Sequence, residues 1–314
     1  MTNLLRAAWV IPLVCAIVLP VVSDASTAHA ASHHPLHTHR YRHVRRYRRI
    51  ASGPHLKSGE ALVVDETHGT VLYARRAGVP QPIASISKLM TAMVILDAHQ
   101  PLGQTLEITR ADRAIGRGAF DRLRIGTRLT REDLLHLALM ASDNRAAHAL
   151  GRNYPGGLGA FVRAMNRKAR ALGMRTAHFV EPTGLSSHNV ASPDDLAKMV
   201  AAAARYPLIR RFSTSHRFTV WVGSHRRGLR RVEFGTTDPL VANRAWRIYV
   251  QKTGFIDPAG HCLVMQTLID HRTVVMVLLH SWGKYTRVAD ARRVREWLEA
   301  HLSARAARIG HPTA

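Results

Sequence analysis

The sequence predicts an α+β fold in which both chain ends build one antiparallel sheet around an inserted, mostly helical region. Three observations predict it. A hairpin pattern opens the folded part, with "EALVVDE" and "TVLYARR" joined by "THG" at residues 67–69. Segments with helical periodicity and helix-start chemistry follow. Beyond residue 215 the period becomes strand-like, and a helix closes the chain.

The chain starts with material outside this fold. Arg6, the apolar run "AAWVIPLVCAIVLPVV" and the small-x-small "AHA" at 28–30 read as a secretory leader over residues 1–30. The alternative is an uncleaved membrane anchor, against which the apolar run is short for a span. Cys15 lies in the leader, so Cys262 is the only cysteine of the 284 residues that remain. No internal disulfide is then possible, and an exported chain of this kind must hold together by its core. Residues 31–56 read as a basic arm. "ASHHPLHTHRYRHVRRYRRIAS" at 31–52 is His, Arg and Tyr with almost no aliphatic content. Two readings stand for it: electrostatic attachment to an anionic wall or membrane surface, or a solvated linker. Its histidines lack spaced acidic or cysteine partners, so no metal site is expected, and no cofactor. The net charge of +24 favours anionic partners, but export and the lack of a recognisable motif argue against nucleic acid.

The folded domain is expected over 57–303, starting near Gly59, with a tail at 304–314. After the hairpin, a helix begins near Ser85. "TREDLLHLALMAS" has Thr130 as a cap and Asp133 three residues on, the capping-box spacing. "GGLGAFVRAMNRKARALG" reads as a helix closed by Gly173, and Ser192 with Pro193 starts another. "HRFTVWV", "RRVEFG", "RIYVQKTG", "HCLVMQTLI" and "RTVVMVLLH" are strand-like, giving three to five strands before the last helix, "VADARRVREWLEAHL".

Three short stretches carry candidate chemistry. The chain has 39 arginines and 6 lysines, yet writes lysine at 88, three residues after Ser85. On a helix those positions share a face. Serine is a weak nucleophile until a base takes its proton, and lysine is such a base once its pKa is lowered; arginine is not. The plain alternative is a capping serine with an exposed lysine. In "ASDNRAAHALG", Ser142 and Asn144 lie between two helical runs, either as a proton relay and a substrate-binding amide or as ordinary caps. In "VQKTGFIDPAGHC", Lys252 supplies charge, Thr253 a hydroxyl for a carboxylate, and Gly254 room for a ligand backbone. The alternative there is a solvent-facing turn.

The order Ser-x-x-Lys, Ser-x-Asn, Lys-Thr-Gly, at intervals of 57 and 110 residues, resembles the motif set of penicillin-binding proteins and serine β-lactamases. "ALVVDETHGTVLYARR", "IASISKLMTAMVILDA", "FVEPTGLSSHNVASPDDLAKMV" and "KTGFIDPAGHCLVMQ" resemble the low-molecular-mass D-alanyl-D-alanine peptidases, from Gly59 to Leu302. The nearest type is the penicillin-binding protein 7 group of DD-endopeptidases. The resemblance implies a β-lactamase/transpeptidase-like fold with helices on the faces of the sheet. It implies Ser85 as nucleophile, Lys88 as its base, and Ser142 as the relay to the leaving amine. Asn144, Lys252, Thr253 and Gly254 would bind substrate, and the backbone N–H groups of Ser85 and Phe255 would form the oxyanion hole. Glu181 and Asn189 lie in a loop similar to the family's, without an assigned role, and His188 reads as structural or exposed.

The implied partners are peptidoglycan peptide stems, with β-lactams as covalent inhibitors, and the implied location is the periplasm. The leading expectation is cleavage of D-alanyl-meso-diaminopimelate cross-links. A D-alanyl-D-alanine carboxypeptidase is the alternative, although those chains usually carry a second β-rich domain and an amphipathic anchor, which "HLSARAARIGHPTA" does not resemble. A β-lactamase using Glu181 and a non-catalytic wall-binding protein are the more distant readings.

Overall fold

The computed structural model describes residues 53–113, 122–224 and 228–309, all within one compact unit. The predicted leader, and the basic arm through residue 52, lie outside the described residues. The hairpin of Glu60–Asp65 (β1) and Thr70–Arg75 (β2) leads to a two-residue strand, Gln81–Pro82 (β3), and the helix Ser87–Asp97 (α1). Thr105–Glu107 (β4), Arg128–Thr130 (β5), Arg131–Met140 (α2), Asn144–Arg152 (α3) and Gly157–Ala171 (α4) follow. Then come Val190–Ala191 (β6), Pro193–Ala203 (α5) and Pro207–Ser213 (α6). The last part holds Arg217–Ser224 (β7), Gly228–Gly235 (β8), Arg247–Ile256 (β9), Gly260–Ile269 (β10), Arg272–Ser281 (β11) and Thr286–Ile309 (α7).

The main sheet is antiparallel with strand order β2-β1-β11-β10-β9, so both chain ends supply it, as expected. Its two faces follow from the period-2 alternation of each strand. Ala61, Val63, Leu263, Met265, Met276 and Leu278 pack with Val288, Ala291, Val294 and Leu298 of α7. Leu62, Val264, Val275 and Val277 belong to a larger cluster with the inserted helices. Each such Val, Leu or Met side chain contributes about 1.5–3 kcal/mol of burial, so a one-residue slip of β1 against β11 would exchange the two faces and lose both cores.

Packing begins a little ahead of Gly59. Leu56 is buried, and the backbone N–H groups of Lys57 and Ser58 donate to Asp290 of α7. The predicted caps are in place: Thr130 and Asp133 form a reciprocal capping box on α2, and Ser192 caps α5 ahead of Pro193. Gly173 follows α4 with φ +71°.

Two features differ from the expectation. Only the last three of the five strand-like runs join the main sheet. The first two, β7 and β8, pair with each other in a separate ribbon. The reason is solvation: β8 exposes Leu229, Arg230, Arg231 and Glu233, whereas β10 and β11 are buried over six consecutive residues each. The second is α6, hidden in the sequence behind Pro207. Proline cannot continue α5, but it is well placed in a first turn, and here it starts a new helix.

Candidate active site

The site is built where α1, the α2–α3 turn, β9 and the loop before β6 converge. α1 is buried all round from Ser87 to Ile95, which makes it the central helix of the inserted region. A single 3₁₀ turn, Ala84–Ile86, precedes it and carries Ser85. Ala84 has φ +49°, an uncommon conformation for alanine. Neighbours hold this turn from several sides. Ile83 N–H donates to the Asn189 carbonyl at 3.0 Å, Ser87 Oγ donates to the Ala84 carbonyl at 2.9 Å, and Asn189 Nδ2 donates to Ser87 Oγ at 3.0 Å.

Lys88 is fully buried, so the reading of an exposed lysine does not apply. Its Nζ donates to Ser85 Oγ at 2.9 Å, to Asn144 Oδ1 at 2.7 Å and to the Thr183 carbonyl at 2.6 Å. All three ammonium donors are therefore used. Burial pulls its pKa from 10.5 down to about 8, against the opposing charges of Glu181 and Asp143. A fraction of about one tenth is then neutral at pH 7, poised to accept a proton from the hydroxyl it touches.

Between α2 and α3 the backbone turns sharply, and Ser142 has φ +59°. The cap of α3 is neither Ser142 nor Asn144 but Asp143, whose Oδ1 accepts from Ala146 N–H at 2.9 Å. That leaves Ser142 and Asn144 to line the same cleft as Ser85. The cleft has a volume of about 780 Å³, and Thr253, Gly254 and Phe255 of edge strand β9 form another wall.

Lys252 is fully buried as well, not part of a solvent-facing turn. Its Nζ donates to the Thr253 carbonyl at 2.8 Å. Burial holds its pKa well below the usual value, helped by the charges of Lys88 and Arg287 and opposed by Asp238. Thr253 Oγ1 pairs with Thr237 Oγ1 at 2.6 Å. The space at Gly254 is used by the chain itself: a Cβ there would lie 3.0 Å from Ala84 Cβ and 3.1 Å from Ser85 N. Absence of a side chain lets β9 approach the serine turn. Phe255 is half-exposed and stacks on His261, with ring centroids 4.3 Å apart.

Several residues of this site carry no local signal in the sequence. Arg287, in the first turn of α7, lines the cleft and donates to the carbonyls of Gly254 and Cys262 at 2.8 and 3.1 Å. Asp238 is buried, with burial raising its pKa against the charges of Arg287 and Lys252. Glu181 braces the loop that meets Lys88. Its carboxylate accepts from Thr183 N–H, Thr183 Oγ1 and Gly184 N–H, each at 2.6 Å, and from Asn189 Nδ2 at 3.1 Å. His188 is exposed. Among the described residues, no His/Cys/Asp/Glu group could hold a metal ion, and no helix is long and apolar enough to cross a membrane.

The fold is that of the DD-transpeptidases and penicillin-binding proteins. The Streptomyces K15 DD-transpeptidase superposes with a TM-score of 0.72 at 24% identity, covering 79% of this chain and 99% of that one. Penicillin-binding protein D2 from Listeria monocytogenes, solved in its cefotaxime-bound form, gives 0.67 at 25% identity over 78% and 98% of the two chains. Residues 48–282 match the model of the peptidase S11 family, described as D-alanyl-D-alanine carboxypeptidase, and the chain belongs to that family of serine peptidases. It is 50% identical over 244 residues to a D-alanyl-D-alanine endopeptidase of Pseudomonas aeruginosa, covering 78% of each chain. It is 45% identical over 249 residues to a D-alanyl-D-alanine endopeptidase of Escherichia coli K12, covering 79% of each.

Proposed function

We propose that this protein is an exported DD-endopeptidase that cleaves D-alanyl-meso-diaminopimelate cross-links of peptidoglycan through an acyl-enzyme on Ser85. The observation that carries the reading is the 2.9 Å contact of buried Lys88 Nζ with Ser85 Oγ at the cleft wall. Lys88, neutral, takes the hydroxyl proton as Ser85 Oγ attacks the D-alanine carbonyl. The backbone N–H groups of Ser85 and Phe255 receive the oxyanion. Ser142 passes a proton to the leaving amine of diaminopimelate, and Asn144 orients the acyl side chain. Lys252, Thr253 and Gly254 hold the substrate along β9, with the charge of Lys252 favouring an anionic group. Water then hydrolyses the ester and frees the enzyme.

The bonds that Glu181 already makes speak against a β-lactamase, since a deacylating base needs a carboxylate oxygen open to water. The expected leader places the enzyme in the periplasm, and the basic arm of residues 31–52 adds attachment to an anionic surface. Deleting that arm should weaken wall retention at low salt and leave turnover of small substrates unchanged.

The test has two arms. Intact-mass measurement of the mature chain with benzylpenicillin should show one covalent adduct, absent in Ser85→Ala. Purified enzyme should then convert cross-linked muropeptide dimers to monomers. Dimers that persist while pentapeptides lose D-alanine would establish the carboxypeptidase instead. No adduct and no cleavage by folded protein would leave a wall-binding protein.

A further inference from the structure

We propose that a cationic groove on α4 is a second binding site for the wall polymer, taking the carboxylates of peptidoglycan stem peptides away from the reaction cleft. The inference rests on the peptidoglycan reading above. The groove has a volume of about 710 Å³, and its lining includes Arg163, Arg167, Arg170, Arg175 and His178. None of its lining residues lines the cleft of Ser85.

The arrangement follows from the sequence. Arg163, Arg167 and Arg170 are spaced i, i+4 and i+7, so they share one face of α4 and span about 10 Å along its axis. Gly173, with φ +71°, turns the chain back and brings Arg175 and His178 to the same groove. Asn166 holds the groove to the next segment, donating to the Phe179 carbonyl at 2.7 Å and accepting from Phe179 N–H at 3.0 Å.

The charge is not spent inside the protein. Among the described residues, none of these four guanidinium groups makes an ion pair or a hydrogen bond. The carboxylate of Asp195 on neighbouring α5 is taken by Lys198 at 2.9 Å and by Thr176 N–H and Oγ1 at 2.6 and 2.7 Å. Like charges three and four residues apart on a helix repel one another. A ligand with carboxylates strung along a flexible chain relieves that repulsion, because guanidinium forks match carboxylates bidentately. Stem peptides containing diaminopimelate and D-alanine are such chains. A lipid surface fits less well: the site is concave, and no exposed large apolar side chain lies in it to enter a bilayer.

The test uses the full mature chain carrying Ser85→Ala, so that bound wall is not cut. Retention on purified peptidoglycan sacculi is measured at low and high salt against the combined variant Arg163→Gln, Arg167→Gln, Arg170→Gln. The basic arm is present in both and cancels from the comparison. Removing three exposed charges together should lower low-salt retention by about tenfold, with the difference shrinking at high salt. Replacing the same three residues by Lys, which keeps the charge and loses the bidentate fork, should retain more low-salt binding than the Gln variant and less than the parent, and it controls for folding. Unchanged retention in the Gln variant overturns the proposal. So does loss of binding to phosphatidylglycerol vesicles with sacculus binding intact, which would make the groove a lipid site. Cleavage of soluble dimers by the Ser85-containing enzyme is read separately. If it fails while sacculus retention still depends on the groove, the groove stands and the endopeptidase reading falls.

Discussion

Gly184 lies directly against Ala84: a Cβ built on Gly184 would fall 1.9 Å from the Ala84 carbonyl oxygen and 2.8 Å from Ser85 N. Gly184 has φ +83°, and Ala84 itself has φ +49°. The loop that follows Glu181 thus seats the serine turn by backbone-to-backbone contact, and the unusual torsion of Ala84 is held from outside. Gly184→Ala should destabilise the fold by about 2–4 kcal/mol and abolish β-lactam acylation, because the added methyl displaces the turn that carries Ser85. Gly173→Ala, also at positive φ but with open space around it, should cost only about 1–2 kcal/mol and leave acylation intact. Thermal unfolding and adduct formation on the two variants separate strain at the site from strain elsewhere. Normal acylation by a folded Gly184→Ala protein would contradict this role for the glycine.

What was legible in the sequence was local. Thr130 with Asp133, and Ser192 with Pro193, announce helix starts by bonds that span three residues. Ser85 and Lys88 meet because a helical turn brings i and i+3 together. What was hidden came from elements distant in the chain. Arg287 reaches Gly254 from α7 across 33 residues, and nothing around Arg287 marks it among 39 arginines. The packing of Gly184 against Ala84 has the same character: a glycine in "EPTGL" signals a turn, not what the turn abuts. The separation of β7 and β8 from the main sheet is not readable from strand period, because pairing partners are set by which faces find cover.

Cys262 sits in the core of β10, fully buried, with burial pushing its thiol up to about 11. Thiolate is the reactive form. The mature native protein should therefore resist labelling by a thiol reagent at pH 8 and take up one equivalent only on unfolding. Rapid labelling of native protein would mean that β10 opens readily, contrary to its position between β9 and β11.

Glu181→Gln should produce two effects with different origins. The amide cannot accept every bond the carboxylate accepts from Thr183, Gly184 and Asn189, so stability should fall by about 2 kcal/mol. The lost negative charge also removes an interaction that raises the pKa of Lys88. The acid limb of the acylation profile should then move to lower pH, even as the amplitude drops. A limb that stays in place while stability falls would show that Glu181 acts on the loop alone.

Lys88→Arg keeps the positive charge and removes the proposed proton acceptor. In the native enzyme, acylation should rise about tenfold per pH unit below the Lys88 pKa of about 8 and level off above it. In Lys88→Arg the rate should fall by about 10²–10⁴, with no rise through pH 8, since guanidinium stays protonated. The same pKa bears on folding. Lys88 binds its proton less tightly in the native state than in the unfolded chain, so between about pH 8 and 10.5 the unfolded state holds more protons and stability rises with pH. The penalty of burying the ammonium is fully present below that window and lifted above it. Urea unfolding at pH 8 and pH 10 should show a smaller increase in Lys88→Arg than in the parent. A parent profile flat through pH 8 would remove Lys88 as the base and shift the search to Lys252, whose own pKa burial lowers well below the usual value.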